Sequence, residues 1–359
     1  MIVRKRASRC GAALLLAGCF FAATATPAAT LYTTGQSPKA SYLYSFDPAT
    51  ITNSVPTGSN DLMHDPVNNA DLITTKVTGL AATDTALFAI AVTPDGFTSL
   101  YRYDRTTAGS ANPTGTRSTL FDPTGPGEEV GLPLSGLTIS GNMLYTLGRT
   151  AADQTYLYSY DLSTVGSDTP SGNTTLLYNP EGAGVPVGNE LSDLTIVGST
   201  LYILGWSPGG INYLYSYDLA TVGSDAPVGT VSKLYNPEDA SVIGIRLSSL
   251  EYFDGKFYSL GRDGAGTYLF NFSLATIMTD APTGSVDLLR DPKDGGAPIG
   301  LQLNGLAIVG DSAPPVAPSV PEPASWALLV LGMGSVGTMM RHRLKLRQSP
   351  SDRPMQPGL

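Results

Sequence analysis

The 359 residues include 27 Pro, 40 Gly and 18 Tyr, with 14% charged side chains and a formal net charge of −9, a profile suited to short strands joined by turns and not to long helices. Both cysteines, Cys10 and Cys19, sit at the N-terminal end, so the body can form neither a disulfide nor a thiolate metal site. The two histidines, His64 and His342, cannot supply a Ser-His-Asp set or a His-rich metal centre, and no cofactor or metal is expected.

The chain begins MIVRKRASRCGAALLLAGCFFAATATPAA. Arg4, Lys5, Arg6 and Arg9 precede an apolar run that ends in small residues, so residues 1–29 read as a secretory signal peptide. Cleavage is expected after Ala25 or Ala29. Leu16-Ala17-Gly18-Cys19 also has the form of a lipobox, which would lipidate Cys19 instead. Without this leader and the basic tail, residues 30–320 keep 12 basic and 28 acidic residues, a net charge of −16. A surface of that sign repels phosphate backbones, so nucleic acid is not an expected partner.

From residue 30 to 310 one pattern recurs, visible at four anchors. A short run begins at Leu31-Tyr32, Leu87-Phe88, Leu144-Tyr145, Leu201-Tyr202 and Phe257-Tyr258. A second run ends at Asp47, Asp104, Asp161, Asp218 and Ser273, in steps of 57, 57, 57 and 55 residues. A third closes at an Asx-Pro pair, Asp65-Pro66, Asp122-Pro123, Asn179-Pro180, Asn236-Pro237 and Asp291-Pro292. The fourth surrounds Leu80, Leu137, Leu194, Leu250 and Leu306. Each run is rich in Leu, Tyr, Ile and Thr and bounded by Gly, Pro, Asn or Asp, the signature of a strand and its turns.

Four strands in each of five repeats predict an all-β fold that resembles the β-propeller superfamily in architecture, though no WD or kelch signature is present. The chain starts on the strand that should follow its last one. The two ends are therefore expected to complete one blade, giving a five-bladed propeller whose N-terminal strand closes the last blade. Residues 30–310 are assigned to this domain.

A fold of this kind confers no function, so the candidate site is sought where the repeats differ. Four residues before the anchor leucine the copies carry Lys76, Pro133, Glu190, Arg246 and Gln302, and Asp193 and Glu251 are acids unique to their copies. With the Leu-anchored strands innermost, Lys76, Glu190, Asp193, Arg246 and Glu251 form a candidate ligand site at the channel mouth. The repeated Asp47, Asp104, Asp161 and Asp218 lack the alternating acidic spacing of a calcium loop and read as Asx turns or N-caps. Trp206, in GWSPGGIN, is expected to anchor a turn; the alternative is that its indole stacks on a sugar.

Beyond the body, residues 311–320 form a Pro-rich linker. Then come Pro321-Glu322-Pro323, an apolar run over 324–340, and Arg341, Arg343, Lys345 and Arg347. The run would span about 25 Å as a helix, close to the ~30 Å of a hydrocarbon core, with the basic side cytoplasmic. A transmembrane helix is expected there, and a disordered tail over 348–359. In order and spacing, residues 321–347 resemble the PEP-CTERM sorting signal of Gram-negative bacteria. The resemblance implies an exosortase-type transpeptidase as partner, membrane anchoring before processing, and transfer to the cell envelope or exopolysaccharide matrix.

With no His- or Cys-based catalytic set in the body, the reading from sequence is a non-enzymatic binding, adhesion or scaffold module. No catalytic residue is assigned, and a glycan is the expected ligand class. The alternative is a cell-surface glycoside hydrolase or lyase that uses channel carboxylates.

Overall fold

The computed structural model describes residues 29–92, 97–125 and 127–310. The leader, the linker, the sorting-type segment with its expected helix at 324–340, and the tail lie outside the described residues. Among those described, no helix is long and apolar enough to cross a membrane.

Each repeat folds into an antiparallel four-stranded sheet. β1 (Thr30–Gln36), β2 (Ser41–Phe46) and β3 (Gly58–Leu62) open the fold. The second sheet contains β4 (Lys76–Ala82), β5 (Ala86–Val92), β6 (Thr98–Asp104) and β7 (Gly115–Thr119). The third has β8 (Leu134–Ser140), β9 (Met143–Arg149), β10 (Thr155–Asp161) and β11 (Gly172–Leu176). The fourth has β12 (Glu190–Val197), β13 (Thr200–Trp206), β14 (Asn212–Asp218) and β15 (Gly229–Lys233). The fifth has β16 (Glu251–Phe253), β17 (Lys256–Arg262), β18 (Thr267–Ser273) and β19 (Gly284–Leu288), and β20 (Leu303–Val309) then returns to the first sheet.

There the order is β20-β1-β2-β3. Leu31 lies opposite Ile308 and Thr33 opposite Leu306, and the Thr33 hydroxyl donates to the Gly305 carbonyl at 2.8 Å. The inner strands β20, β4, β8, β12 and β16 touch in a closed cycle. The fold is a five-bladed antiparallel β-propeller, and joining the first and last described strands in one blade leaves no open edge on β1.

Strand alternation explains the core. In every blade the third strand from the axis carries two aromatic residues two positions apart, Tyr44/Phe46, Tyr101/Tyr103, Tyr158/Tyr160, Tyr215/Tyr217 and Phe270/Phe272, which stack on one face of the sheet. Each of the five buried clusters lies between two blades; the closing one packs Leu31, Tyr44 and Phe46 against Leu260, Leu269 and Leu289. Every fully buried Leu or Tyr contributes on the order of 2 kcal/mol relative to exposure.

The repeated polar anchors serve the turns. Asp47, Asp104, Asp161 and Asp218 each accept the backbone N–H two residues on through Oδ1. At Asp47 this caps a short 3-10 turn, Pro48–Thr50. The five Asx-Pro pairs use the same device, from Asp65 to Asp291.

Near the axis the inner strands approach so closely that side chains have little room. Gly136 has φ +64°, and a Cβ there would lie 2.7 Å from Asp193 Cα and 2.6 Å from Asp193 Oδ1. Gly305, φ +63°, meets Leu80 in the same way, with Cβ 2.8 Å from Leu80 Cβ. Where the fifth repeat has Ser249 at this level, its hydroxyl accepts the Leu260 N–H in place of a ladder partner, and β16 is only three residues long. Gly136→Ala should therefore destabilise the protein by about 3 kcal/mol, through a disallowed φ and overpacking together. Chemical denaturation would check this; a loss near that of an exposed glycine substitution would show that the axis has slack.

Candidate functional site

The axial mouth is built from two strands of each blade. Because β12 and β13 form a hairpin, Glu190 at the start of one lies opposite Trp206 at the end of the other. Lys76 faces Val92 in the same way in the second blade. Two sets of equivalent positions thus surround the opening: Lys76, Pro133, Glu190, Arg246 and Gln302 within, and Gln36, Val92, Arg149, Trp206 and Arg262 around them.

Below the inner set, Thr78, Ser135, Ser192, Ser248 and Asn304 occupy the level two residues before the anchor leucine, and all five line a cavity of about 190 Å³ together with Lys76, Glu190, Leu191, Arg246 and Gln302. Thr78 donates to the Leu134 carbonyl at 2.7 Å and Ser248 to the Leu303 carbonyl at 3.0 Å. With the bond from Ser135 to the Leu191 carbonyl at 3.5 Å they tie three of the inner segments to the next, whereas Ser192 bonds the Leu204 carbonyl within its own blade. An adjoining groove of about 330 Å³ shares Arg246, Ser248 and Gln302 with the cup and adds Arg262, Asp263 and Thr267.

Glu190 is the carboxylate of the mouth. Arg246 donates to its Oε1, and Arg149 stands 3.9 Å from its Oε2 while pairing with Asp153 at 3.1 Å. Glu190 and Arg246 are 41% and 44% exposed, so the pair adds at most about 1 kcal/mol to stability. Its effect is to orient the carboxylate over the cup. The protein around Lys76, followed by the like charge of Arg246, lowers the lysine's pKa, against the pull of Glu190.

Asp193 and Glu251 do not lie where the sequence suggested. The backbone shifts register between Leu191 and Asp193, which turns the Asp193 side chain toward the axis beneath the cup. There its Oδ1 accepts the N–H of Leu137 and of Leu194, at 3.3 and 2.9 Å, and its Oδ2 the N–H of Leu250 at 2.8 Å. Those donors belong to three successive blades. Asp193 is 2% exposed, and burial pushes its pKa up to about 8 although the three N–H bonds oppose the shift. It is a clasp, not a mouth ligand. Glu251, one residue past its anchor leucine, lies beyond the throat; burial raises its pKa, with the Asp193 charge second and the Ile308 N–H opposing.

The sequence reading also missed residues. Arg149, Arg262 and Trp206 belong to the mouth, and the signal that would have found them is the fifth position after each Leu-Tyr anchor, which the hairpin sets beside the inner set; Gln302 shares the inner set's own offset. Trp206 ends β13 instead of lying in a turn; it is partly buried, its ring within 3.8 Å of where a Cβ on Gly210 would be. Among the described residues no cluster of His, Cys, Asp and Glu is arranged to hold a metal ion.

No family model and no curated protein matches the chain. Solved structures do. One is titled a bifunctional GH43-CE from Bacteroides eggerthii, at 12% identity and TM-score 0.40, covering 65% of this chain and 30% of that one. A second is a GH43 glycoside hydrolase titled as having endo-xylanase and exo-arabinofuranosidase activity, at 12% identity and TM-score 0.41, covering 77% of this chain and 54% of that one. A third is the catalytic domain of Coprinopsis cinerea GH62 alpha-L-arabinofuranosidase, at 10% identity and TM-score 0.38, covering 75% and 77%. The chain thus spans 30% and 54% of the first two. At these values the likeness is one of architecture, and no residue's role is carried over from it.

One expectation is nevertheless corrected. The non-enzymatic binding, adhesion or scaffold reading, and the descriptors that went with it, rested on the missing His and Cys sets. Those absences do not exclude catalysis, since carboxylates alone can cleave a glycosidic bond, and structures titled as glycoside hydrolases are among those this chain resembles in architecture.

The clasp has a measurable pH signature. Folded Asp193 keeps its proton up to about pH 8, whereas an unfolded aspartic acid releases it near 3.8, so the folded state binds more protons in that window and stability falls as pH rises through it. Asp193→Ala should lower stability by about 3 kcal/mol at pH 5, by leaving buried N–H groups unpaired, and should flatten that decline. Denaturation at several pH values tests both effects; an unchanged slope would mean that Asp193 is ionised throughout.

Proposed function

We propose that the protein is a glycan-cleaving enzyme, a glycoside hydrolase or lyase, working at the axial mouth. The observation that carries this reading is a carboxylate, Glu190, held by Arg246 opposite Trp206 and above a ring of hydroxyl and amide side chains. A sugar needs such a set: donors and acceptors for its hydroxyls, an aromatic face for its C–H surface, and a group that can move a proton at the scissile bond.

Glu190 is the proton-transferring or charge-stabilising carboxylate in this scheme. Lys76, which lines the same cup, is the cationic side chain beside it. Asp193 and Glu251 hold the scaffold beneath them. The product separates the two reactions, since a lyase leaves an unsaturated sugar and a hydrolase consumes water. Incubation of the purified protein with a polysaccharide panel should reveal turnover that Glu190→Gln reduces at least ~100-fold without changing the melting transition. Saturable binding with no product, or full turnover in the variant, would overturn the assignment.

The proposal extends to location. Pro321-Glu322-Pro323, the apolar run and the basic cluster support export, transient anchoring through residues 324–340 and processing by an exosortase-type partner, with the enzyme then held at the envelope or in its exopolysaccharide. Replacement of Pro321, Glu322 and Pro323 by alanine should leave the protein in the membrane fraction of an exosortase-bearing host. Unchanged release from the membrane would remove this part of the proposal.

A further inference from the structure

The body of the protein is strongly acidic, yet its mouth is not. Residues 30–320 contain 12 basic residues, and four of them, Lys76, Arg149, Arg246 and Arg262, fall within the ten positions that surround the opening. Glu190 is the one acid among those ten. Arg149 and Arg246 share its carboxylate, and Asp153 takes the other side of Arg149. Lys76 and Arg262 form no ion pair among the described residues. Asp263, at the edge of the groove, is committed to its own turn, where its Oδ1 accepts the N–H groups of Ala265 and Gly266 at 2.7 and 3.2 Å.

We infer that the mouth recognises an acidic sugar, a hexuronate within a glycan, whose carboxylate is held between Lys76, Arg246 and Arg262 while Trp206 and the hydroxyl ring meet the rest of the chain. The cup and the adjoining groove share Arg246, Ser248 and Gln302, so a ligand of more than one sugar unit passes Arg246 on its way between them. Arg246 already engages the Glu190 carboxylate. A planar guanidinium fork that fits one carboxylate fits another, and it matches that geometry better than a point charge does. Burial is the first cause of the lowered pKa of Lys76, and the like charge of Arg246, which a bound anion would offset, is the second. A long polyanion such as nucleic acid would still meet the repulsion of the acidic flanks.

This inference rests on the mouth being a glycan site, and the experiment keeps the two apart. Binding by the purified protein would be measured calorimetrically with oligomers of galacturonate, glucuronate and mannuronate, with their methyl esters, with neutral oligomers of equal length, and with a sulfated oligomer. At least one free acid should bind about 10-fold or more tightly than its ester, and added salt should weaken it. Arg246→Gln and Arg262→Gln should each lose most of that preference. Lys293→Gln, in an ion pair with Asp61 on the outer part of the first blade, should keep it, and melting curves would confirm that all variants fold.

Equal affinity for acid and ester across the panel overturns the inference, and so does a preference confined to the sulfated oligomer. Cleavage of a neutral glycan that Glu190→Gln abolishes would uphold the enzyme and sink the acidic substrate. Tight hexuronate binding without any product would do the opposite.

Discussion

Everything in this propeller is arranged around the crowding of five inner strands at its axis. Backbone meets backbone there, so each strand must either give up its side chain at the level of contact or use it to bond its neighbours. Three repeats take the first course, with Gly79, Gly136 and Gly305, and two take the second, with Asp193 and Ser249. The Asp193 carboxyl gathers N–H groups from three blades on its two oxygens, where an amide of similar size has one acceptor atom. Its charge is costly in so dry a place. The three hydrogen bonds offset part of that cost, and the raised pKa measures what remains.

This division separates an acid enclosed by the scaffold from one that faces the opening. Both Asp193 and Glu190 lie on β12, three residues apart, yet one is closed in by donors and the other opens onto a cup lined with hydroxyls. The register shift between them is responsible. Above it, side chains stand around the opening and are free to differ from repeat to repeat. Below it they are bound by the geometry of the ring. Variation in the upper sets is therefore compatible with the fold, and it is there that charge has collected against the sign of the rest of the surface.

The architecture was legible in the sequence because it depends on patterns that survive without knowledge of partners. The equal steps between Asp47, Asp104, Asp161 and Asp218 set the repeat, and the order of the first and last strands implied closure. The inner set of the mouth was legible too, since Lys76, Glu190 and Arg246 share one offset from the anchor leucine. Half of the site was not. Arg149, Trp206 and Arg262 become neighbours of that set only through hairpin register, which a single strand does not encode, and the bulge that turns Asp193 inward leaves no compositional mark. The non-enzymatic reading failed for a related reason: a search for familiar His and Cys catalytic sets discounts a lone carboxylate such as Glu190, whose surroundings only the folded mouth supplies.

The pairing of β1 with β20 also sets an order of events. These partners are separated by some 270 positions along the chain, as the bond from Thr34 to Asn304 shows, so the toroid stays unlatched until its final segment has arrived. A chain halted before Leu303 would present an unzipped border on its first sheet, open to strands of other copies. Arrival of β20 and locking of the fold are thus one step, and a product truncated before it keeps that border open to other strands.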